Sequence, residues 1–143
     1  MQLIIAHLLV FLQISIASLF FSLSGFLLKY LVLKKKDNNK FYENGLFGFV
    51  FVGFISLFLN FFSPLGLLLN NVIFLIIFIL AFKFNYFKKN LLKLLKNIFF
   101  VTLIAYLFLI YSNVNRPDAF SYHLQYSQIL NDHKIIIGLS NLH

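Results

Sequence analysis

Apolar and polar positions divide the chain into long hydrophobic runs separated by short polar breaks. About 20 apolar residues in helical form span a hydrocarbon core. Four runs reach or approach that length. The first is Leu3–Leu33, of which the middle would be used. The second is Leu46–Phe62 and the third Leu65–Phe82. The fourth is Ile98–Tyr111, extended backward through Leu91, Leu92, Leu94 and Leu95. Lys34–Gly45, ending in Asn44-Gly45, is polar and rich in turn formers, so it reads as a loop. Ser63-Pro64-Leu65-Gly66 reads as a tight helical hairpin with Pro64 in the first turn of the new helix. Leu91–Lys96 alternates leucine with lysine, as an amphipathic stretch at the headgroups does. From Asn113 onward the chain is polar and mixed. Asn115 caps an expected helix running to Leu130 or Asn131 along the membrane surface. The expected fold is an all-α integral membrane protein. Residues 1–112 hold four transmembrane helices, and 113–143 form an outward tail with one short interfacial helix. No internal repeat is visible.

Composition agrees with this pattern. Of 143 residues, 61% are hydrophobic and 11% charged, against roughly 45–50% and 25% in a soluble domain. So few charges cannot cover so much leucine, isoleucine and phenylalanine in water. The N-terminus has no basic segment before its apolar run, and the run exceeds a signal-peptide core, so it reads as a retained helix. The many phenylalanines read as lipid-facing filler.

The net charge of +8 raises nucleic acid as a partner, but the positions of the lysines exclude it. Lys29, Lys34, Lys35, Lys36 and Lys40 form one cluster, and Lys83, Lys88, Lys89, Lys93 and Lys96 another. Both flank apolar runs, as topology signals and anionic-lipid contacts do. Two spans separate them, so both can face the cytoplasm. The N-terminus, the Pro64 hairpin and everything after Tyr111 then lie outside. Membrane lipids are the expected partners.

With no cysteine, disulfides and thiolate metal sites are excluded. His123, His133 and His143 lack the spacing of a metal-binding helix. His7 sits near the outer end of the first span, where a helix contact is the ordinary role. Asn60, Asn70 and Asn71 lie near outer ends of spans and are expected to hydrogen-bond between helices.

Asp118 is the candidate of most interest. Asp37 and Glu43 fall in the polar loop, and Asp132 lies beside His133 and Lys134 in a turn. Asp118 lies seven residues beyond Tyr111, at headgroup depth. A carboxylate there acts as a general base or ligates a divalent cation beside a lipid phosphate. The plainer alternative is an acid in a helix's first turn, favoured by the dipole. Arg116 either clamps a phosphate or pairs with Asp118 or a headgroup. On a regular helix Asp118, Tyr122 and Tyr126 share a face. His123 is turned about 140° from Asp118.

Asp118 with Tyr122-His123-Leu124, followed by Gly138-Leu139-Ser140-Asn141-Leu142-His143, resembles a signature in a group of large bacterial multi-spanning membrane proteins. In that group an Asp precedes Tyr-His-Leu-Pro, and Pro-Gly-Leu-Ala-Asn-Leu-His-Gly-Arg follows. Gln125 and Ile137 stand where the group tends to have proline, and the group's intervening Trp is missing. The match covers Asp118–His143. The group is similar to the GT-C superfamily of membrane glycosyltransferases. The resemblance implies a catalytic carboxylate at Asp118, working as base or with a divalent cation. It also implies a substrate site shaped by Arg116, Tyr122 and His123, with a polyprenyl-phosphate sugar as donor. GT-C enzymes have many more spans, so the expectation is the N-terminal portion of such an enzyme, inactive alone, in the bacterial inner membrane. The alternative is a non-enzymatic membrane protein acting as a subunit or assembly partner. A transporter ranks last, because the span centres carry no charge.

Overall fold

The computed structural model describes residues 2–32, 34, 40–89, 91–111 and 124–135. Five α-helices follow in order: α1 (Gln2–Leu31), α2 (Phe41–Asn60), α3 (Leu67–Lys83), α4 (Leu91–Tyr111) and α5 (Leu124–Asp132), with a 3₁₀ turn at Tyr86–Lys89 between α3 and α4. No strand occurs among the described residues. Ile5–Leu31, Phe41–Asn60 and Leu91–Tyr111 are each long and apolar enough to cross a membrane. α3 is equally apolar but has 17 residues, about 25 Å at helical rise. The protein is an all-α membrane protein.

α1 is the axis of the bundle, and α2, α3 and α4 each pack on it. Contacts along it give the directions. Phe21 meets Phe49 at 5.5 Å and Lys29 reaches Glu43 at 3.0 Å, so α2 runs antiparallel to α1. Phe20 stacks on Phe74 at 5.6 Å, and Leu23, Phe26 and Leu27 share a core with Ile77 and Ala81, so α3 runs parallel. His7 touches Tyr106 edge-on at 6.1 Å, and Ser15 shares a 3.1 Å hydroxyl hydrogen bond with Thr102, so α4 is antiparallel. Elsewhere the apolar side chains face outward: Leu8, Leu12, Phe54, Phe58 and Phe108 are exposed. That is the pattern of a bundle solvated by lipid, where packing and hydrogen bonds hold helices together.

The α1–α2 crossing is a backbone contact. A methyl group built on Gly25 would overlap the Asn44 carbonyl oxygen and lie 2.7 Å from the Gly48 nitrogen. One built on Gly48 would overlap the Phe21 carbonyl and lie 2.8 Å from the Gly25 nitrogen. Only glycine fits at either position, and the two backbones meet there.

Two local expectations change. α2 begins at Phe41, so Asn44-Gly45 is helical and not a turn. The Asn44 carbonyl and Gly48 are needed on the α1-facing side, and burial against α1 outweighs the turn propensity of the pair. α3 begins at Leu67, so Pro64 sits in the hairpin and not in the helix. Leu65 gives its N–H to the Leu130 carbonyl at 3.0 Å, and the helix starts only after that commitment. Leu91–Lys96 is the first part of α4 and continuous with it, as the backward extension of the fourth run expects. α3 ends with the Phe84 N–H bonded to the Leu80 carbonyl at 2.9 Å and Asn85 at φ 59°. That is the left-handed conformation asparagine tolerates at a helix end.

Candidate functional site

Arg116, Asp118, Tyr122 and His123 lie outside the described residues, as do Gly138–His143 and the expected Asn115 cap. The chain on both sides of 112–123 is described: Tyr111 ends α4 and Leu124 opens α5. α5 ends at Asp132, one residue past the expected end.

α5 and the residues after it are tied to the α2–α3 hairpin by a small polar clamp. Asn60, the last residue of α2, is 1% exposed. Its Nδ2 donates to the carbonyls of Leu130 at 3.2 Å and His133 at 3.4 Å, with a longer contact to Ser63 at 3.5 Å. Its backbone carbonyl accepts the Ile135 N–H at 2.9 Å, and Leu65 N–H closes the set on Leu130. One side chain thus satisfies several backbone carbonyls that have left regular structure, the ordinary requirement for buried backbone. The expectation for Asn60 was a bond to another spanning helix; its partner is the tail. Asn70 bonds the Leu65 carbonyl at 2.9 Å, inside its own hairpin.

The opposite end of the bundle gathers the turns that carry the lysine clusters. Tyr30 lies 4.7 Å from Phe84, and Phe26 lies 4.7 Å from Tyr86. The 84–89 turn therefore packs beside the end of α1 and the start of α2. Tyr86 inserts its hydroxyl between helices and shares a 2.8 Å hydrogen bond with Ser22 Oγ, which is fully buried. Burial pushes the Tyr86 phenol up from its ordinary value, and the contacts with Ser22 and Asn44 pull it partly back. Asn44 lies beside that hydroxyl, yet neither amide atom reaches full hydrogen-bond geometry with a partner. Lys29 is buried to 4% at its side chain, pairs with Glu43, and lies 5.6 Å from the centre of the Phe47 ring. Reading Lys29 as a topology signal and Glu43 as a solvated loop acid missed this pair. Their helical register to the Gly25–Gly48 crossing is the signal that was there to use.

Among the described residues no three His, Cys, Asp or Glu side chains converge to hold a metal ion. The two ends of the bundle thus differ in kind: lysine-bearing turns and a buried tyrosine at one, the Asn60 clamp and the tail at the other. Such a bundle defines a polytopic helical membrane protein whose residues 124–135 are fixed to the hairpin end. The chain belongs to the DUF8201 family, a domain of unknown function whose model matches residues 7–143. No curated protein and no solved structure matches it.

Proposed function

We propose that this chain is the N-terminal membrane portion of a GT-C-like glycosyltransferase that uses a sugar carried on a polyprenyl phosphate. In this reading Asp118 is the catalytic carboxylate, acting as base or holding a divalent cation. Arg116 meets the donor phosphate, and Tyr122 and His123 shape the site. The chain lies in a bacterial inner membrane with α1–α4 all spanning, α3 at the short end of the usual range.

The observation that carries the reading is the Asn60 clamp. It ties the helix that directly follows Tyr122-His123 to the end of the bundle away from the lysine-bearing turns. With lysines on the cytoplasmic side, α5 lies at the outer face, which supports a role for Asp118 on the side where lipid-linked sugars are used. The Tyr-His-Leu and Gly-Leu-Ser-Asn-Leu-His stretches supply the resemblance.

Sidedness is measured with Asn38→Cys and Ser140→Cys and an impermeant maleimide on intact cells. Labelling of Ser140→Cys alone is expected; labelling of both from one side overturns the reading. In the protein encoded by the complete reading frame, Asp118→Asn is expected to abolish sugar transfer from a polyprenyl-phosphate donor. Unchanged transfer, together with a stable co-purifying partner, would favour the subunit reading.

A further inference from the structure

α2 and α3 are joined at the hairpin but diverge over α1, and the space between them is open. Near the hairpin lies a cleft of about 450 Å³ lined by α1, α2 and α3, with Gln13, Ser56, Asn70 and Asn71 among its walls. Towards the lysine end lies a second cleft, of about 260 Å³, walled entirely by apolar side chains, including Leu27, Leu31, Phe51 and Ile77. Ile73 is a wall of both. Along α1 the first is lined at positions 13, 16, 17 and 20 and the second at 27, 28, 31 and 32, with the buried Ser24 between them. The two clefts adjoin at Ile73, the first with polar groups among its walls and the second apolar, and together they make a groove beside the axis helix.

The polar end has a definite depth. Ser56 is one helical turn before Asn60, so these groups lie about 6 Å below the hairpin end of α2. Gln13 and Asn71 are exposed into the groove and make no hydrogen bond among the described residues. Amides left without partners in hydrocarbon are costly, so a partner at that depth is worth a hydrogen bond. No charged side chain lines either cleft, which argues against a phosphate as the group recognised. The first cleft has the size of a ligand cleft, and both are smaller than a packed helix needs. We propose that this groove is a binding site for a glycerolipid. One acyl chain lies along the apolar part, and its ester carbonyl accepts amide hydrogens from Gln13 and Asn71. The inference stands apart from the glycosyltransferase reading, because it uses neither Asp118 nor the tail.

The test uses the full chain in phosphatidylcholine vesicles containing a trace of phosphatidylcholine with a diazirine on one acyl chain. After illumination, labelled peptides are mapped. Adducts are expected to concentrate at 27–31 and 73–77 over the outward face at Phe54 and Phe58. Gln13→Leu with Asn71→Leu should lower that ratio about 30-fold, as losing two net hydrogen bonds does, with the melting temperature unchanged. Ile73→Trp, which fills the shared wall, should displace the label if its melt shows it folded. Equal labelling of all apolar faces overturns the proposal, as does a ratio indifferent to the double variant. A groove free of label in a detergent-stable dimer would assign it to a partner helix and also overturns the proposal.

Discussion

Replacing Gly48 with alanine puts a methyl group into the backbone of α1. The group would overlap the Phe21 carbonyl and sit 2.8 Å from the Gly25 nitrogen. Neither atom belongs to a side chain that can rotate away, so the helices must part. Ordinary contact begins near 3.4 Å, so clearing the Phe21 carbonyl takes a parting of more than about 1 Å, and about 0.5–1 Å already forfeits a quarter to a half of a packed interface's dispersion energy. Overpacking of a well-fitted core costs about 1–3 kcal/mol, and the Lys29–Glu43 pair one turn along must stretch with it. We expect Gly48→Ala and Gly25→Ala each to destabilise by about 3 kcal/mol, at the upper end of that range. The fold carries its own control. Methyl groups at Gly45 and Gly53 meet nothing within 4 Å, so Gly45→Ala and Gly53→Ala should stabilise α2 by up to about 1 kcal/mol through helix propensity. All four are measured in one detergent by thermal unfolding followed by circular dichroism. Combining Gly25→Ala with Gly48→Ala should cost less than the two separately, since one separation relieves both overlaps. If the four substitutions behave alike, the backbone contact between α1 and α2 is refuted.

Asn60→Ala removes the donor that holds the Leu130 and His133 carbonyls. Protease should then cut within 124–135 several-fold faster while the melting of α1–α4 changes little; an unchanged cleavage rate would contradict the clamp. Glu43→Gln leaves the buried Lys29 ammonium without its carboxylate. It should cost about 1–2 kcal/mol, discounted because Glu43 is partly exposed, and more than Lys29→Met, which removes the buried charge itself. Equal melting temperatures for the two would dismiss the pair as a structural element. Burial raises the Tyr86 phenol, so the folded state holds its proton more tightly than the unfolded one. Its contribution is fully present below the unfolded value of 10.0 and is lost as pH rises through the folded value. Tyr86→Phe should flatten the alkaline part of the stability profile, and a profile of unchanged slope would show that Tyr86 does not titrate with folding.

The spans were legible because a bilayer demands long apolar runs, and the lysine clusters marked their ends. Close approach was harder to see. Phe21-x-x-x-Gly25 and Asn44-x-x-x-Gly48 carry the four-residue spacing of backbone contact, but Asn44-Gly45 also spells a turn. Which reading wins depends on a partner helix that no local pattern contains. No local pattern marks Tyr86; its role depends on a serine 64 positions earlier. Asn60 was recognisable as a polar residue needing a partner, but not which one, because its bonds go to backbone carbonyls that any sequence supplies. Asp118 rests on short-motif resemblance, and its surroundings lie beyond the described residues.

Because α1 touches each of α2, α3 and α4 while α2 and α3 meet chiefly through their hairpin, biogenesis of the bundle is a queue at a single post. The first helix to leave the insertion machinery must linger beside its exit, receiving each successor in turn. A ribosome stalled after α2 would leave a paired intermediate joined at Gly25 and Gly48. One stalled after α3 would still display the bare flank at Ser15 that waits for Thr102.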